Sequence, residues 1–596
     1  MSSKRSLFVL CRSLLTRVPR RSLLTRVPRR SLLTRFGLSL LALCILSGPY
    51  GLHAQQVRTG DGRRFYPDDP LWQDPDELSI AMVKEFGLLK DWDFIENSFG
   101  NPGKTTGPAI NINTLDEVPD SSWFMNRIGQ RDMSIDEVVR GPSQVDGPAP
   151  GPWKITGRPW AGITPKFTIR DSRGDTYVVK LDPTRMPELV STAEMISSKI
   201  FHAIGYHVAE YYLVGIDFDQ IEVEPGARYF VEGAWRPIRK SNLEYWLRNQ
   251  PRNPDGTVRA VASRYLPGTH VGEFRHHGTR SDDPNDIFPH EARRELRGYR
   301  VFGAWLNHDD SRGLNTFDSF VEEDGRTFIR HYLLDFGSNL GSGSTSPQEP
   351  RAGNEYYMAG GAALKGIFTF GLWSRGWMHV VYPDYPSVGN VEADFFEPQK
   401  WRPQYPNAAF QRMDAADAFW AASIVSRFTD EMIHAIVAEA QMSDPEAEAY
   451  LTGVILKRRD KVINYWIART NPLDRFEIQS DQNGARLSFE NAAIRVGAAA
   501  PGASYSIRWS KLDNLASSEE PYGTDTALDG TLAIIPGQAW GPADDVGYRY
   551  AVAAIRTIHP DHPLWEEPVL VTLRDRNGEL DVVGIERPRY DPVPLP

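Results

Sequence analysis

The sequence predicts an α+β chain in three parts: a small antiparallel β lobe carrying one helix, a helical lobe, and a C-terminal all-β, sandwich-like domain. Three observations carry that expectation. Residues 153–217 read strand–strand–strand–helix–strand, residues 408–470 alternate helical periodicity with short breaks, and residues beyond 474 show only strands and turns. At 596 residues the chain exceeds what one hydrophobic core serves, so two or three domains are expected.

Residues 1–54 stand apart. They hold ten Lys or Arg and no Asp or Glu, and residues 12–36 repeat a unit as RSLLTRVPR, RSLLTRVPR, RSLLTRF. An apolar run over 36–46 and small residues before Gln55 complete the pattern of a secretory signal cleaved near Ala54. Arg29-Arg30 before Ser-Leu-Leu also resembles a twin-arginine leader. The product would be exported, to the periplasm or beyond the cell. Without those ten cations, 57 basic residues face 77 acidic ones, a charge near −20 that suits neither nucleic acid nor an anionic membrane as partner. Cys11 and Cys44 both fall in the leader, so disulfides, thiolate nucleophiles and Cys-bound zinc are excluded from the mature chain. No later apolar run is long enough to span a bilayer, so no integral membrane segment is expected there.

Residues 55–150 read as a wrapping, loop-rich segment with one helix over 78–89, closed by the linker GPSQVDGPAPGP. The small lobe, 151–225, places strands at WKITGRP, ITPKFTIRD and TYVVKLDP, a helix over PELVSTAEMISSKIFHAIG with Gly205 as its stop, and one strand over HVAEYYLVGIDFD. The helical lobe, 226–473, opens with a mixed, loop-rich insertion to about 290. A helix over PHEARRELRGYRVFGAWL follows, then a hairpin turned at Asp324-Gly325 that delivers Asp335 at its end. The Gly- and Ser-rich segment 337–346 is expected to be mobile, and the aromatic run 368–382 to pack in the lobe. Residues 474–596 carry no concentrated catalytic signal.

The chemistry concentrates in NHDDSRGLN, 307–315, and LLDFG, 333–337. Asp310 and Asn315 share a loop after a helix, and Asp335 ends a strand. Phosphoryl transfer needs a cation held by oxygen ligands, a carboxylate beside the attacking hydroxyl, and positive charge on the phosphates. Asn315 and Asp335 supply the oxygens, Asp310 the carboxylate and Arg312 a positive charge. Singly, each has a plainer reading as a cap, a solvated charge or a structural group. Asp282, Asp283 and Asp286 read as capping acids before a helix, and His276-His277 lack zinc spacing.

Taken in order, these residues resemble the protein-kinase-like superfamily. HDDSRGLN, 308–315, aligns without a gap on the catalytic-loop pattern H-R-D-L-x-x-x-N, with Asp309 where the family has Arg, and DFG, 335–337, matches its metal-binding motif. VVK, 178–180, resembles the strand whose Lys contacts the α- and β-phosphates, and Glu194 suits its ion-pair partner. The resemblance covers roughly 153–470. The long insertion and the PHExRRxLRG…AWLNHDD run look more like the exported CotH-type and the HipA-type kinases than like eukaryotic ones. The glycine loop is incomplete, offering only Gly157 and Gly162, and no APE motif follows DFG. The resemblance implies ATP or another nucleotide bound through Lys180, Glu194, Gly157 and Gly162. It further implies Mg²⁺ or Mn²⁺ on Asn315 and Asp335, Asp310 and Arg312 at the reacting phosphoryl group, and a protein or small hydroxyl acceptor. The alternative is a non-catalytic, pseudokinase-like binding or scaffold protein of the cell envelope.

Overall fold

The computed structural model describes residues 62–74, 76, 78–84, 87, 90–158, 164–231, 234–358, 375–482 and 484–590. The expected leader, its repeats, both cysteines and the cleavage point lie outside these residues, as does Gly162.

The protein is mixed α/β, with four sheets among the described residues. β1 (Trp153–Arg158), β2 (Lys166–Arg170) and β3 (Thr176–Leu181) form an antiparallel run whose Ile155, Phe167, Ile169, Tyr177 and Val179 enter one core. The strand expected over 207–219 divides. β4 (His207–Val208) leaves for a second sheet, while β5 (Tyr211–Ile216) stays with the first. That first sheet also extends beyond residue 225, where the insertion was expected to be loop-rich and to belong with the helical lobe. β6 (Ile221–Val231), β7 (Ala234–Pro237) and β8 (Val258–Arg264) complete a seven-stranded sheet ordered β5-β8-β3-β2-β1-β6-β7. β8 lies between β5 and β3 with Val258, Ala260, Val261 and Ala262 buried. Both of its faces are covered, so VRAVASR lacks the alternation that marks a half-exposed strand. β6 joins β1 in parallel, against the expected all-antiparallel arrangement.

The second sheet is ordered with β4, then β11 (Arg326–Leu333), β10 (Thr316–Glu323) and β9 (Thr269–Gly272). Glu323 pairs with Arg326 around a two-residue turn, where Asp324 and Gly325 both have positive φ (51° and 75°) as an Asp-Gly hairpin requires. Beyond Leu473, a three-stranded and a five-stranded antiparallel sheet contribute Leu487, Phe489, Ile507, Trp509, Ile555 and Val571 to one core.

Five helices matter to the site: α1 (Leu189–Ile204), α2 (Arg294–Leu306), α3 (Ala415–Val425), α4 (Asp430–Ala438) and α5 (Pro445–Trp466). The last three begin at Asp414, Thr429 and Asp444, each side chain accepting from a first-turn amide. The start of α2 is bound by buried arginines. Arg293 Nη1 meets Asp74 at 2.9 Å, Arg294 meets Asp116 at 2.8 Å and Asp417 at 3.0 Å, and Arg297 meets Asp417 at 3.3 Å. Asp286 pairs with His290 at 2.8 Å and Asp282 with Arg280 at 2.9 Å, so these acids serve local ion pairs.

Three further expectations fail. Residues 78–84 are not helical: Ile80 is buried and donates its amide to Thr327 O at 2.8 Å, while Leu78 and Met82 face out, an extended alternation. Residues 336–342 are buried and held, with Leu340 N donating to Leu306 O at 2.8 Å, rather than forming a loose segment. Of the aromatic run, 368–374 lies outside the described residues, and the remainder does not pack as a core: Met378 and Val381 are exposed. Among the described residues no helix is long and apolar enough to cross a membrane.

Candidate functional site

The site is assembled by three local devices. Lys180 is the penultimate residue of β3, and two residues later Asp182 turns its carboxylate onto the start of α1, accepting from Val190 N and Ser191 N at 2.8 Å each. This ties the strand that carries Lys180 to the helix that carries Glu194. Second, α2 stops at Asn307, whose left-handed backbone (φ 51°) suits Asn. Its Oδ1 accepts from Trp401 Nε1 at 3.0 Å and its Nδ2 donates to Gln348 Oε1 at 3.2 Å. His308 follows, buried against Tyr299 OH at 2.6 Å, a structural position. Third, Leu334 N donates to Asn315 O at 2.9 Å, joining the loop 307–315 to the strand that delivers Asp335.

These devices bring Lys180, Glu194, Asp310, Asn315 and Asp335 together. Lys180 Nζ contacts Glu194 Oε1 and, at 2.8 Å, Asp335 Oδ1. Phe336 stacks on Phe201 of α1 at 5.0 Å, two turns beyond Glu194. Gly337 allows the close approach: a Cβ there would lie 3.1 Å from both Glu194 Oε1 and Val190 Cγ1. Arg312 Nε lies 2.5 Å from Asp310 Oδ1, and Asn315 Nδ2 donates to Asp310 O at 2.7 Å. Gly157 stands apart, on β1 at a register shift opposite Thr168 and Arg228.

The electrostatics divide the acids. Burial pushes Asp310 up to about 6, with Arg312 only partly offsetting it. Burial, then the charge of Asp310, raises Asp309 to about 8; Gln348 Nε2 donates to its Oδ1 at 2.5 Å. Asp335 goes the other way: desolvation opposes its charge, but Lys180 outweighs it and holds the carboxyl at about 2. Asp335 also keeps its side chain 42% exposed, so a charge held this firmly remains open to a ligand.

For a hard cation, the donors are the Asp335 carboxylate and the Asn315 amide oxygen, the latter left over while Nδ2 serves Asp310. Two oxygen donors in an open position fit Mg²⁺ or Mn²⁺ sharing its remaining positions with phosphate and water. Among the described residues no group of three or more His, Cys, Asp or Glu is arranged for a metal. Two cavities, about 700 and 1050 Å³, are lined by other residues: the first by Met195, Lys199 and Tyr211 among others, the second by residues 62–76 and the β10–β11 hairpin among others.

Sequence reasoning passed over Lys166, Tyr211 and Gln348. Lys166 pairs directly with Lys180 across β2 and β3, Tyr211 is buried beside Glu194, and Gln348 bridges Asn307, Asp309 and Ser338. A strand-pairing register would have found Lys166; the other two have no local signal.

No protein-family model matches the chain, and no curated protein matches it. A solved structure, the Helicobacter pylori proinflammatory kinase CtkA, is similar to 52% of this chain over 97% of its own length, at 13% identity and a TM-score of 0.25. A likeness at that level carries no argument about fold or activity, and nothing in it bears on the CotH-type or HipA-type resemblance.

Proposed function

We propose that the chain is an exported, kinase-like phosphotransferase that moves a phosphoryl group from ATP or another nucleotide to a hydroxyl of a protein or small molecule. The observation that carries this reading is Lys180, on β3, touching both Glu194 of α1 and Asp335, while the loop of Asp310 and Asn315 is bonded to the same strand end. Lys180, held by Glu194, binds the α- and β-phosphates. Asp335 and Asn315 would hold Mg²⁺ or Mn²⁺, which would supply charge neutralisation on the phosphates. Lys180 contacts Asp335 through Oδ1. Asp310 accepts the acceptor's hydroxyl proton as the new O–P bond forms and the bond to the bridging oxygen of the leaving diphosphate breaks. A carboxyl titrating about 6 is matched to that task near neutrality. Arg312, beside it, places positive charge near the moving phosphoryl group.

Loss of the γ-phosphoryl from labelled ATP, with Mg²⁺ and Mn²⁺ in parallel, tests the reading. Asp310→Asn should lower the metal-dependent rate by about 10²–10⁴-fold while nucleotide still binds. Turnover that Asp310→Asn leaves unchanged would overturn the assignment.

One observation favours a second, non-catalytic reading. Asp310 is already engaged by Arg312, and Asn315 by the Asp310 carbonyl, within one loop. Nucleotide binding without phosphoryl loss under any metal would select that pseudokinase-like binding role.

A further inference from the structure

We propose that Lys166 is a second phosphate-binding cation, forming with Lys180 a two-ammonium clamp that selects nucleoside di- and triphosphates over nucleosides. The inference rests on the phosphotransferase reading above. Lys166 and Lys180 are direct partners in the β2–β3 register, and directly opposed residues of an antiparallel pair project from the same face. Lys180 uses that face to reach Glu194 and Asp335, so Lys166 overhangs the same cleft. Like charges placed opposite each other destabilise a sheet. Burial, and after it the charge of Lys180, holds the Lys166 ammonium below its ordinary range, with Asp335 and Glu194 acting in its favour.

The charge count then specifies the ligand. The ammoniums of Lys166 and Lys180 lie in the field of two carboxylates, Glu194 and Asp335. With a divalent cation added on Asp335, the two ammoniums and the cation would exceed the two carboxylates by two positive charges, which two anionic phosphate groups would balance. A nucleoside offers no such charge, whereas a diphosphate or triphosphate carries enough for both lysines and the metal. Lys166 and Lys180 are paired within the sheet, so the spacing of their backbones is set by strand register rather than by a loop.

Calorimetric titration of the full chain with Mg–ATP, Mg–ADP and adenosine tests this, using the wild type, Lys166→Met and Lys166→Arg. The expected result is that Lys166→Met weakens Mg–ATP and Mg–ADP by about fivefold or more, the scale of one lost charge-assisted contact, with adenosine unchanged and Lys166→Arg retaining most of the affinity. The ligand-free Lys166→Met protein should melt no lower than the wild type, because a like-charge neighbour is gone. A smaller loss, or an equal loss for adenosine, would overturn the role of Lys166 while leaving the phosphotransferase reading intact. Failure of the wild type to bind any Mg–nucleotide would overturn that reading and this inference with it.

Discussion

Two clusters of buried charge, the arginines that open α2 and the Lys180–Asp335 cleft, use the same residue types to different ends. Around Arg293, Arg294 and Arg297, the guanidiniums and their partners Asp74, Asp116 and Asp417 are at most 3% exposed. At Asp417, Arg297 and Arg294 outweigh desolvation and hold the carboxyl below its ordinary value. These pairs tie residues 74 and 116 to α2 and α3, and Arg587 reaches Asp116 from the far end of the chain at 3.2 Å. In the cleft, Asp335 is 42% exposed, Arg312 24% and Asp310 15%, and Asp310 moves upward rather than downward. Burial of charge therefore does not mark a site. Charge that stays reachable and only partly offset does.

The largest effect should fall on the arginine cluster. Asp417→Ala leaves Arg294 and Arg297 without a shared buried partner and should cost ~3–5 kcal/mol, read as a fall in the unfolding midpoint. Asp335→Ala should cost within about 1 kcal/mol, because its side chain is partly solvated and Lys180 keeps Glu194. Equal losses in the two variants would break the distinction.

Next in size is the pH dependence of turnover. If Asp310 must be ionised to take the acceptor proton, the rate should rise with pH through about 6 and level off above it. A pH–rate profile flat from 5 to 8 would remove Asp310 as the base.

The smallest effect on turnover should come from Asp309→Asn. Asp309 is pushed up to about 8, far above its unfolded value, so in the folded protein at neutral pH it is uncharged and amide replacement should leave turnover nearly unchanged. The sign follows from linkage: below about 4 both states of Asp309 are protonated, and between about 4 and 8 only the folded state binds the proton. Compared with the Asn variant, the wild type should therefore lose stability as pH rises across that window and hold a constant difference above it. Parallel melting curves from pH 4 to 9 would contradict the assignment.

What the sequence made legible follows from distance along the chain. Lys180, Glu194, Asp310, Asn315 and Asp335 each sit on or directly after an element with a strong local signal: a β-branched strand, a helix stopped by Gly205, an Asp-Gly hairpin. Their order alone suggested a shared cleft; the structure shows Lys180 touching Glu194 and Asp335, and Asn315 O bonded to Leu334 N beside Asp335. Lys166 was missed because its meaning depends on register with β3, and Gln348 because a lone polar residue gives no sign that it will be buried between Asp309 and Ser338. β6 and β8 were missed for a related reason. β8 is covered on both faces, and the β1–β6 pair is parallel, so neither carries the alternation or the short turn that marks a hairpin. The expected mobility of 337–346 rested on composition; Leu340 N donates to Leu306 O at the end of α2, and residues 337–342 are buried, while Thr345 and Ser346 are exposed.

The most direct test of the cleft as a metal–nucleotide site is the thermal shift of the wild type and Asp335→Ala with ATP, each with and without Mg²⁺. The account predicts that ATP raises the wild-type melting temperature only when Mg²⁺ is present, and that Asp335→Ala, melting close to the wild type when ligand-free, shows no such rise. A wild type that Mg–ATP does not stabilise, or a variant stabilised to the same extent, would contradict it.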